Sequence, residues 1–442
     1  MLRFGTDGIR GRANQELTMD VGYWFGVAVA EEMECDRVAI GRDTRESGFW
    51  LAQAVGLGLA ASGVDVIDCG IMPTGALSWV ARKVEAPTVV VSASHNPYYD
   101  NGIKVFTASG GKLSERMERK IEGTLNALVS GRGKRYGKLG GYEPRDFSGE
   151  YVAWLLSLRG PLERTLLVAY DAANGAAAGL ADGLIESLGA EVALAIGNGP
   201  DGHNINDGVG ALHPERLAEA VVASGADVGL AFDGDADRLI AVSPSGRVVD
   251  GDDIMALLAL DLHRRGGLAG PGIVVTVMSN LGLEKAMVSH GFEVVRTRVG
   301  DRQVAIGLEE TGFGLGGEQS GHIIVPSLSP TGDGLLTALL LLHIIAGGKG
   351  NFDALLDRLG PKYPQIHRQV PTASCATVAA APEVSGLVEE VEAQLGDQGR
   401  VVLRASGTEP LVRIMVEARS VAEAETAADR LVGAVLKAAG RI

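Results

Sequence analysis

Residues 228–238 read Val-Gly-Leu-Ala-Phe-Asp-Gly-Asp-Ala-Asp-Arg. The first five residues predict a buried β-strand, because a strand covered on both faces of its sheet carries only apolar or small side chains. Three carboxylates at alternating positions, Asp233, Asp235 and Asp237, follow at once. In open α/β sheets, ligands bind beyond the carboxyl ends of the strands. The stretch therefore predicts an α/β fold with a binding site at this strand end.

The three carboxylates predict a cation site. Unpaired, they would repel one another, whereas oxygen ligands suit a hard divalent cation. A calcium EF-hand shares the opening spacing, but it would need Gly in place of Arg238 and Glu in place of Pro244. A solvated acidic turn fits poorly, because the loop follows a buried strand directly.

Strand and helix patterns alternate along most of the chain, which is typical of βα units with parallel or mixed sheets. Helices are predicted near 46–62, 115–129, 178–188, 214–224, 281–290 and 334–346. The pattern restarts near Val38, Leu166 and Ile273, so we expect three similar α/β units. β-rich segments at 400–405 and 411–418, flanked by helices, predict a smaller α+β domain at the end.

A chain of 442 residues is too long for one hydrophobic core, since single cores stop growing at roughly 250–300 residues. Length alone predicts two to four domains, and the three α/β units with the smaller α+β domain make four. They are expected at 1–147, 148–250, 251–361 and 362–442.

Composition narrows the classes of partner. The formal net charge of −15 argues against nucleic acid and against anionic membranes. The apolar stretch Leu335–Ala346 is shorter than the roughly 20 residues of a membrane span and predicts a buried helix. Widely spaced Cys35, Cys69 and Cys375, together with a first segment that lacks a signal-peptide pattern, predict a cytoplasmic protein.

Residues 91–97 read Val-Ser-Ala-Ser-His-Asn-Pro and again follow an apolar strand. Ser94 thus stands where a nucleophile or phosphate carrier would stand, and a serine oxygen can relay a phosphoryl group. The same residues also fit a turn that merely caps a helix. Taken alone, this loop leaves both interpretations open.

Two further loops suit a sugar phosphate. Residues 316–322, Gly-Gly-Glu-Gln-Ser-Gly-His, offer Glu318 and Ser320 to sugar hydroxyls, although an ordinary strand-turn fits as well. Residues 404–410, Arg-Ala-Ser-Gly-Thr-Glu-Pro, together with Arg413, form a plausible phosphate cradle or a polar hairpin. Arg10 and Lys104 are further candidates, but charged residues are usually solvated at the surface.

The order of these motifs resembles that of the α-D-phosphohexomutase superfamily over essentially the whole chain. Ser-His-Asn-Pro, Asp-Gly-Asp-Ala-Asp-Arg, Gly-Glu-Gln-Ser-Gly-His and Arg-Ala-Ser-Gly-Thr-Glu-Pro occur one per predicted domain. The resemblance implies four domains around a central cleft, the fourth mobile. Within the family, the segments 4–11, 278–283 and 299–302 and Gln319 resemble the bacterial members that act on glucosamine phosphate.

The resemblance also implies roles for individual residues. Ser94 would be phosphorylated and would carry the phosphoryl group. Mg²⁺ would be bound by a phosphoserine oxygen of Ser94 and by Asp233, Asp235 and Asp237. Glu318 and Ser320 would select the sugar. The phosphate that does not react would be held by Arg404, Ser406, Gly407, Thr408 and Arg413.

The reaction implied is the exchange of a phosphate between the two ends of a hexose through a 1,6-bisphosphate. Arg10 and Arg238 would stabilise phosphate oxygens, and the proton would be exchanged by Lys104, His95 or His322. Glucosamine phosphate is the expected substrate, for UDP-N-acetylglucosamine synthesis, with mannose or glucose phosphate as the alternative. A sugar-phosphate-binding regulator and a Mg²⁺-dependent phosphatase stay open, and the resemblance points to a homodimer.

Overall fold

The computed structural model describes residues 3–5, 8–131, 139–406 and 409–440. The chain forms two compact units. The first consists of Met1–Thr276 and Thr297–Leu356, and the second of Val277–Arg296 and Asp357–Ile442. Successive α/β segments are followed by a smaller group of strands and helices, so the predicted fold class is confirmed.

The first α/β region is built on a seven-stranded mixed sheet in the order β1-β2-β6-β5-β3-β4-β7. Its strands are β1 (Phe4–Gly5), β2 (Gly8–Arg12), β3 (Arg37–Arg42), β4 (Asp65–Ile71), β5 (Thr88–Val91), β6 (Asp100–Phe106) and β7 (Tyr142–Pro144). Its helices are α1 (Met19–Met33), α2 (Glu46–Ala61), α3 (Thr74–Val84) and α4 (Glu115–Val129). Because β3 pairs in parallel with both β4 and β5, the loops after β3 and β5 leave the sheet side by side.

The second region has a five-stranded sheet in the order β12-β11-β10-β8-β9. Its elements are α5 (Ser148–Arg159), β8 (Leu167–Asp171), α6 (Leu180–Ser187), β9 (Glu191–Ile196), α7 (Glu215–Ser224), β10 (Val228–Phe232), β11 (Leu239–Val242) and β12 (Val248–Val249). All five residues of β10 are buried, as the sequence pattern predicted. The acidic loop leaves the carboxyl end of this strand.

The third region contains α8 (Gly251–Arg264), β13 (Gly272–Thr276), α9 (Leu281–Ser289), β14 (Glu293–Thr297), α10 (Asp301–Thr311), β15 (Gly316–Gly317), β16 (Ile323–Ile324), α11 (Gly334–Gly347) and α12 (Phe352–Leu356). β15 pairs in parallel with β13 and antiparallel with β16. Thirteen consecutive residues of α11, Gly334 to Ala346, are buried, so its apolar sequence reflects a core helix. Among the described residues no single helix could cross a membrane by length and composition; only α11 with Phe352–Leu359, bent by 97°, meets those criteria as a pair.

The last region is a three-stranded antiparallel sheet with helices. Its elements are β17 (Gln365–Pro371), α13 (Cys375–Ala379), α14 (Pro382–Leu395), β18 (Arg400–Ala405), β19 (Leu411–Glu417) and α15 (Val421–Ala438). A separate apolar core includes Val384, Val412, Ile414 and Leu431. The two strands predicted at 400–405 and 411–418 are confirmed.

Candidate active site

Ser94 lies in the loop that follows β5, a strand whose four residues are all buried. Its backbone has φ +51°, in the left-handed region that residues other than glycine rarely adopt. The Ser94 N–H donates a hydrogen bond to Ser92 Oγ at 2.8 Å. Ser94 Oγ donates to Asp233 Oδ2, also at 2.8 Å. The structure therefore joins the predicted serine loop to the acidic loop directly, although the two residues lie 139 positions apart.

The acidic loop gathers its three carboxylates at one point. Ligand atoms of Asp233, Asp235 and Asp237 lie within 4.8 Å of one another, and all three residues are buried. Ala236, between the last two, has φ +53°, which turns the backbone so that alternate side chains converge. A loop of this shape brings the three carboxylates together, whereas an extended strand would keep them apart.

These carboxylates fit a divalent cation. Asp235 Oδ1 and Asp237 Oδ1 are buried and make no hydrogen bond within the described part of the chain. A buried polar atom without a partner is costly, so such atoms indicate a missing ligand. Carboxylate oxygens are the ligands that Mg²⁺ prefers. The residues present therefore suit the predicted Mg²⁺.

Basic and hydroxyl groups surround the three carboxylates. Lys104 Nζ lies 3.0 Å from Asp235 Oδ2 and 3.7 Å from Asp237 Oδ2. The hydroxyl of Thr74 donates to the same Asp235 Oδ2 at 2.6 Å. Arg238 Nε lies 3.9 Å from Asp233 Oδ2 and 3.8 Å from Asp237 Oδ1. Lys104 is thus a buried partner of the acidic loop and not a solvated surface charge.

The electrostatics of the loop follow from this crowding. Burial, together with the charges of Asp237 and Asp235, raises the pKa of Asp233 above its ordinary value. Burial acts in the same direction on Asp237, but His322, Lys104 and Arg238 hold its pKa well below the usual range. The crowding of buried carboxylates thus raises the pKa of Asp233 alone, whereas the neighbouring positive groups stabilise the ionised form of Asp237.

Two histidines border the loop. His95 Nδ1 lies 3.3 Å from Ser94 Oγ. Burial and the charges of Arg238 and Arg10 lower the pKa of His95 to about 4, so its ring is neutral near pH 7. His322 Nδ1 lies 3.5 Å from Asp237 Oδ2, while its Nε2 accepts a hydrogen bond from the Gly332 N–H at 3.1 Å. Nδ1 is thus the ring nitrogen that faces Asp237.

The predicted sugar loop lies between β15 and β16. Glu318 Oε1 accepts a hydrogen bond from the Gly300 N–H at 3.0 Å, and both Glu318 and Ser320 are half-buried. Burial lowers the pKa of Arg238, but Asp233, Asp237 and also Glu318 raise it above its ordinary value overall. The sugar loop is therefore close enough to the acidic loop for its charge to act there, and His322 joins the two by contact.

A cavity of about 470 Å³ opens beside His322, between the start of α4 and α10. Two ion pairs border it, Lys112 with Asp301 and Arg302 with Glu118. The described residues that line it do not include Glu318 or Ser320. This cavity is therefore not the predicted sugar site.

The predicted phosphate loop joins β18 to β19 in the second compact unit. Arg404 and Arg413 are directly opposite residues of these strands and therefore share a face of the sheet. Burial and the charge of Arg413 lower the pKa of Arg404, as expected for two guanidinium groups that lie close together. Arg413 Nη2 is paired with Glu409, whereas Arg413 Nε is buried without a partner among the described residues. The two arginines suit a phosphate; Ser406 borders the loop, and Gly407 and Thr408 lie outside the described residues.

Sequence reasoning missed three residues that hold the site together. Thr74 binds Asp235, and Arg45 and Asn206 bind the Ser94 loop. Residues 43–45, Asp-Thr-Arg, directly follow β3, so the rule that identified Ser94 and Asp233 applied to Arg45 as well. Asn206 follows no strand and offered no such signal.

Comparison with known proteins first shows the family to which this chain belongs. Models of the four phosphoglucomutase/phosphomannomutase domains match this chain. The three alpha/beta/alpha domains match residues 1–131, 156–246 and 250–363, and the C-terminal domain matches 367–434. A phosphoglucomutase/phosphomannomutase family protein from Burkholderia thailandensis superposes with a TM-score of 0.81 at 28% identity, covering 98% of this chain and 97% of its own.

Two relatives indicate the branch of this family to which the chain belongs. A phosphoglucosamine mutase from Clavibacter michiganensis subsp. michiganensis is 45% identical over 98% of both chains. One from Saccharopolyspora erythraea is 47% identical over 97% of both. The chain therefore belongs to the phosphohexomutases, an isomerase family, and within them to the branch of the bacterial phosphoglucosamine mutases. The predicted family is confirmed, while the exact domain boundaries and the roles of single residues stay predictions.

A distant solved structure shares the fold. N-acetylphosphoglucosamine mutase from Aspergillus fumigatus, in complex with GlcNAc-6P and magnesium, superposes with a TM-score of 0.69 at 19% identity. It covers 99% of this chain and 95% of its own.

Proposed function

We propose that the chain interconverts glucosamine 6-phosphate and glucosamine 1-phosphate through a phosphorylated Ser94 and a 1,6-bisphosphate. The observation that carries this proposal is the hydrogen bond of 2.8 Å from Ser94 Oγ to Asp233 Oδ2. It places the hydroxyl against a buried cluster of carboxylates that suits a cation. A phosphoryl carrier needs such a neighbour, because transfer depends on positioning and charge neutralisation.

Asp233, Asp235 and Asp237 would hold Mg²⁺ together with an oxygen of the phosphorylated Ser94. When bound, the cation would neutralise negative charge at the phosphoryl group. The Oδ1 atoms of Asp235 and Asp237, which are buried and accept no hydrogen bond from the described residues, support this assignment. Arg238 is placed to add a second positive charge, and Arg10 lies near enough to lower the pKa of His95.

The transfer can be written atom by atom. The bond between phosphorus and Ser94 Oγ breaks while a bond from phosphorus to a sugar hydroxyl oxygen forms, and the hydroxyl proton passes to a base. The resulting bisphosphate then turns over, and Ser94 takes back the other phosphate by the reverse step.

Two groups are the better candidates to exchange that proton. His95 Nδ1 lies 3.3 Å from Ser94 Oγ, and Lys104 Nζ lies 3.0 Å from Asp235 Oδ2. His322 is less suited, because its Nε2 already accepts a hydrogen bond from Gly332. We therefore assign His322 to holding Asp237.

The substrate assignment is supported by relatives named phosphoglucosamine mutase at 45–47% identity over nearly the whole chain. Glu318 and Ser320 would contact the sugar, and Arg404, Ser406, Gly407, Thr408 and Arg413 would hold its non-reacting phosphate. The product would supply UDP-N-acetylglucosamine synthesis in the cytoplasm.

A substrate panel tests the proposal. The kcat/KM for glucosamine 6-phosphate, glucose 6-phosphate and mannose 6-phosphate is measured with Mg²⁺ and a bisphosphate primer, and phosphate release is followed in parallel. We expect glucosamine 6-phosphate to be preferred by about tenfold or more, which corresponds to about 1.4 kcal/mol of transition-state discrimination. A preference for the other hexoses would make the protein a phosphomannomutase or phosphoglucomutase. Stoichiometric phosphate release would make it a phosphatase, and no turnover would favour a regulator.

A further inference from the structure

Arg45 is a buried arginine whose guanidinium group is fully occupied by the Ser94 loop and one carboxylate. The residue is 1% exposed. Nε donates to Asp43 Oδ2 at 2.9 Å, and Nη2 donates to the carbonyl oxygens of Ser94 and Asn96, each at 2.8 Å. Nη1 donates to the carbonyl oxygens of Pro97 and Asp100. All five N–H donors of a guanidinium are thereby used, three of them on the loop after β5 and a fourth on Asp100, the first residue of β6.

Asp43 fixes the orientation of this guanidinium. It is 1% exposed and accepts hydrogen bonds from Arg45 Nε and, at 2.7 Å, from Ser92 Oγ. Ser92 Oγ in turn accepts the Ser94 N–H. Asp43 thus supports the loop through Ser92 and the Ser94 N–H, while Arg45 binds the carbonyl oxygens of the loop.

Asn206, from the second α/β region, reaches the same two carbonyl oxygens. Its Nδ2 donates to the oxygen of Ser94 at 3.0 Å and to that of Asn96 at 3.1 Å. A Cβ at Gly234 would lie 2.7 Å from both Asn206 Nδ2 and the Ser94 carbonyl oxygen. Only glycine allows the acidic loop to approach so closely.

We propose that Arg45 and Asn206 form a carbonyl clamp, a pair of positioning residues that fixes the Ser94 peptide and aims Ser94 Oγ at Asp233. The inference rests on the proposed role of Ser94. Neither side chain hydrogen-bonds to Ser94 Oγ. Arg45 and Asn206 both bind the carbonyl oxygen of Ser94 and act through it. A serine at φ +51° is strained, and it persists only where its surroundings determine the peptide orientation.

The clamp also couples two α/β regions. Ser94 and Arg45 lie in the first region, whereas Asn206 and Asp233 lie in the second. The position of the serine relative to the cation site therefore depends on contacts between the first and second regions. Misplacing a phosphoryl carrier by a small distance lowers the rate of the step without a matching loss of substrate affinity.

The test uses full-length variants. Asn206→Asp keeps the size of the side chain but turns two donors into acceptors that face carbonyl oxygens. Asn206→Gly removes them while tolerating the φ of +59°. Asn14→Asp is the matched control, because Asn14 has the same φ of +59° and is exposed. Arg45→Lys keeps the charge without the planar fork, and Arg45→Ala is assayed with and without free guanidinium.

Three readouts accompany each variant: kcat and KM, the rate at which Ser94 gains phosphate from a hexose bisphosphate by intact mass, and the thermal unfolding midpoint. We expect both Asn206 variants to lower kcat and the phosphorylation rate by about tenfold or more, with KM changed by less than about threefold. Free guanidinium should restore part of the kcat of Arg45→Ala. Asn14→Asp should behave like the wild type.

Asn206 variants that fold and keep the wild-type kcat and phosphorylation rate would overturn the proposed clamp. If the Arg45 variants fail to fold, the Asn206 variants alone test the proposal. A parallel loss of midpoint and activity, unrelieved by guanidinium, would reduce both residues to structural support and overturn it as well. A failure of the proposed function looks different: wild-type protein would then turn over without ever carrying phosphate on Ser94.

Discussion

At the scale of single residues, the site is held by backbone conformations that ordinary residues avoid. Ser94 has φ +51° and Ala236 has φ +53°, and each lies in a loop that carries the predicted chemistry. Left-handed backbone costs about 1 kcal/mol or more at a non-glycine residue and is kept where the surroundings impose it. The strain is therefore located where the hydroxyl and the carboxylates must meet.

Replacing Ser94 separates its chemical role from this strain. Both Ser94→Ala and Ser94→Gly should lose at least about 10³-fold in kcat, because the oxygen that carries the phosphate is gone. Ser94→Gly should unfold at a higher temperature than Ser94→Ala, since glycine adopts φ +51° freely. Steady-state kinetics and thermal unfolding measure the two effects, with the exposed Ser109→Ala as the control. Residual turnover near the wild-type rate in either variant would refute the role of Ser94.

The carboxylates give a second prediction at this scale. Asp235→Asn removes one charge from the buried triad, so the Mg²⁺ concentration for half-maximal activity should rise by about tenfold or more. The increase in the unfolding midpoint that Mg²⁺ causes in the wild type should shrink in parallel, because ligand stabilisation follows the dissociation constant. Exposed Asp36→Asn serves as the control. An unchanged Mg²⁺ titration would place the cation elsewhere.

The sequence predicted the serine and the carboxylates at two strand ends but not the side chains that hold them. Ser94 and Asp233 each follow a buried strand directly, and one rule about sheet edges identified both. Asn206 reaches Ser94 across 112 positions and Thr74 reaches Asp235 across 161, through contacts that only the folded chain creates. No local pattern encodes such a pair, which is why these residues were missed.

At the scale of elements, apolar periodicity predicted the bounds of the helices closely. The helix expected at 115–129 is α4 (Glu115–Val129), whose first turn is capped by the Ser114 hydroxyl. The helix expected at 334–346 is α11 (Gly334–Gly347), capped by Asp333. The order of the strands in the sheets could not be predicted in the same way. For example, β2 pairs with β6 across some 90 residues of sequence, and such pairing depends on tertiary packing.

The contact between α5 and α8 gives a prediction about pH. Asp261 in α8 accepts hydrogen bonds from Arg159 in α5 and from Arg264, each at 2.7 Å. Burial raises the pKa of Asp261, but Arg264, Arg159 and Arg265 together hold it below its ordinary value. A lowered pKa means that the ionised form stabilises the fold. That contribution is complete above the unfolded value of about 3.9 and is lost as the pH falls through the folded value.

Asp261→Asn should therefore destabilise the protein at neutral pH, by about 1–3 kcal/mol for a buried, charge-assisted network. The difference between the two unfolding midpoints should narrow as the pH falls below about 4. Thermal unfolding at a series of pH values measures it, with exposed Asp207→Asn as the control. A difference that stays constant down to acid pH would show that Asp261 acts by packing and not by charge.

At the scale of the whole molecule, the second compact unit is assembled from two separate stretches of the chain. Arg400 Nη1 donates to the carbonyl oxygen of Val277 at 2.9 Å, and the Leu281 N–H donates to Glu417 Oε1 at 3.0 Å. Asn280 Nδ2 donates to the carbonyl oxygen of Tyr363 at 2.8 Å. Residues that are distant in sequence thus share one hydrogen-bond network, and a domain order read along the chain does not reveal it.

Glu417 is the centre of that network and gives the last prediction. It is fully buried, is ion-paired with Arg400, and accepts hydrogen bonds from Leu281 N–H and from Gln365 Nε2 at 2.8 Å. Glu417→Gln removes the charge that balances Arg400, so segments 277–296 and 400–417 should open together, because local opening follows cooperative units. Amide hydrogen exchange should rise in both segments by a similar factor while β5 and β10 keep their protection, and exposed Glu425→Gln should change neither. Faster exchange in 400–417 alone would mean that 277–296 does not fold with this unit.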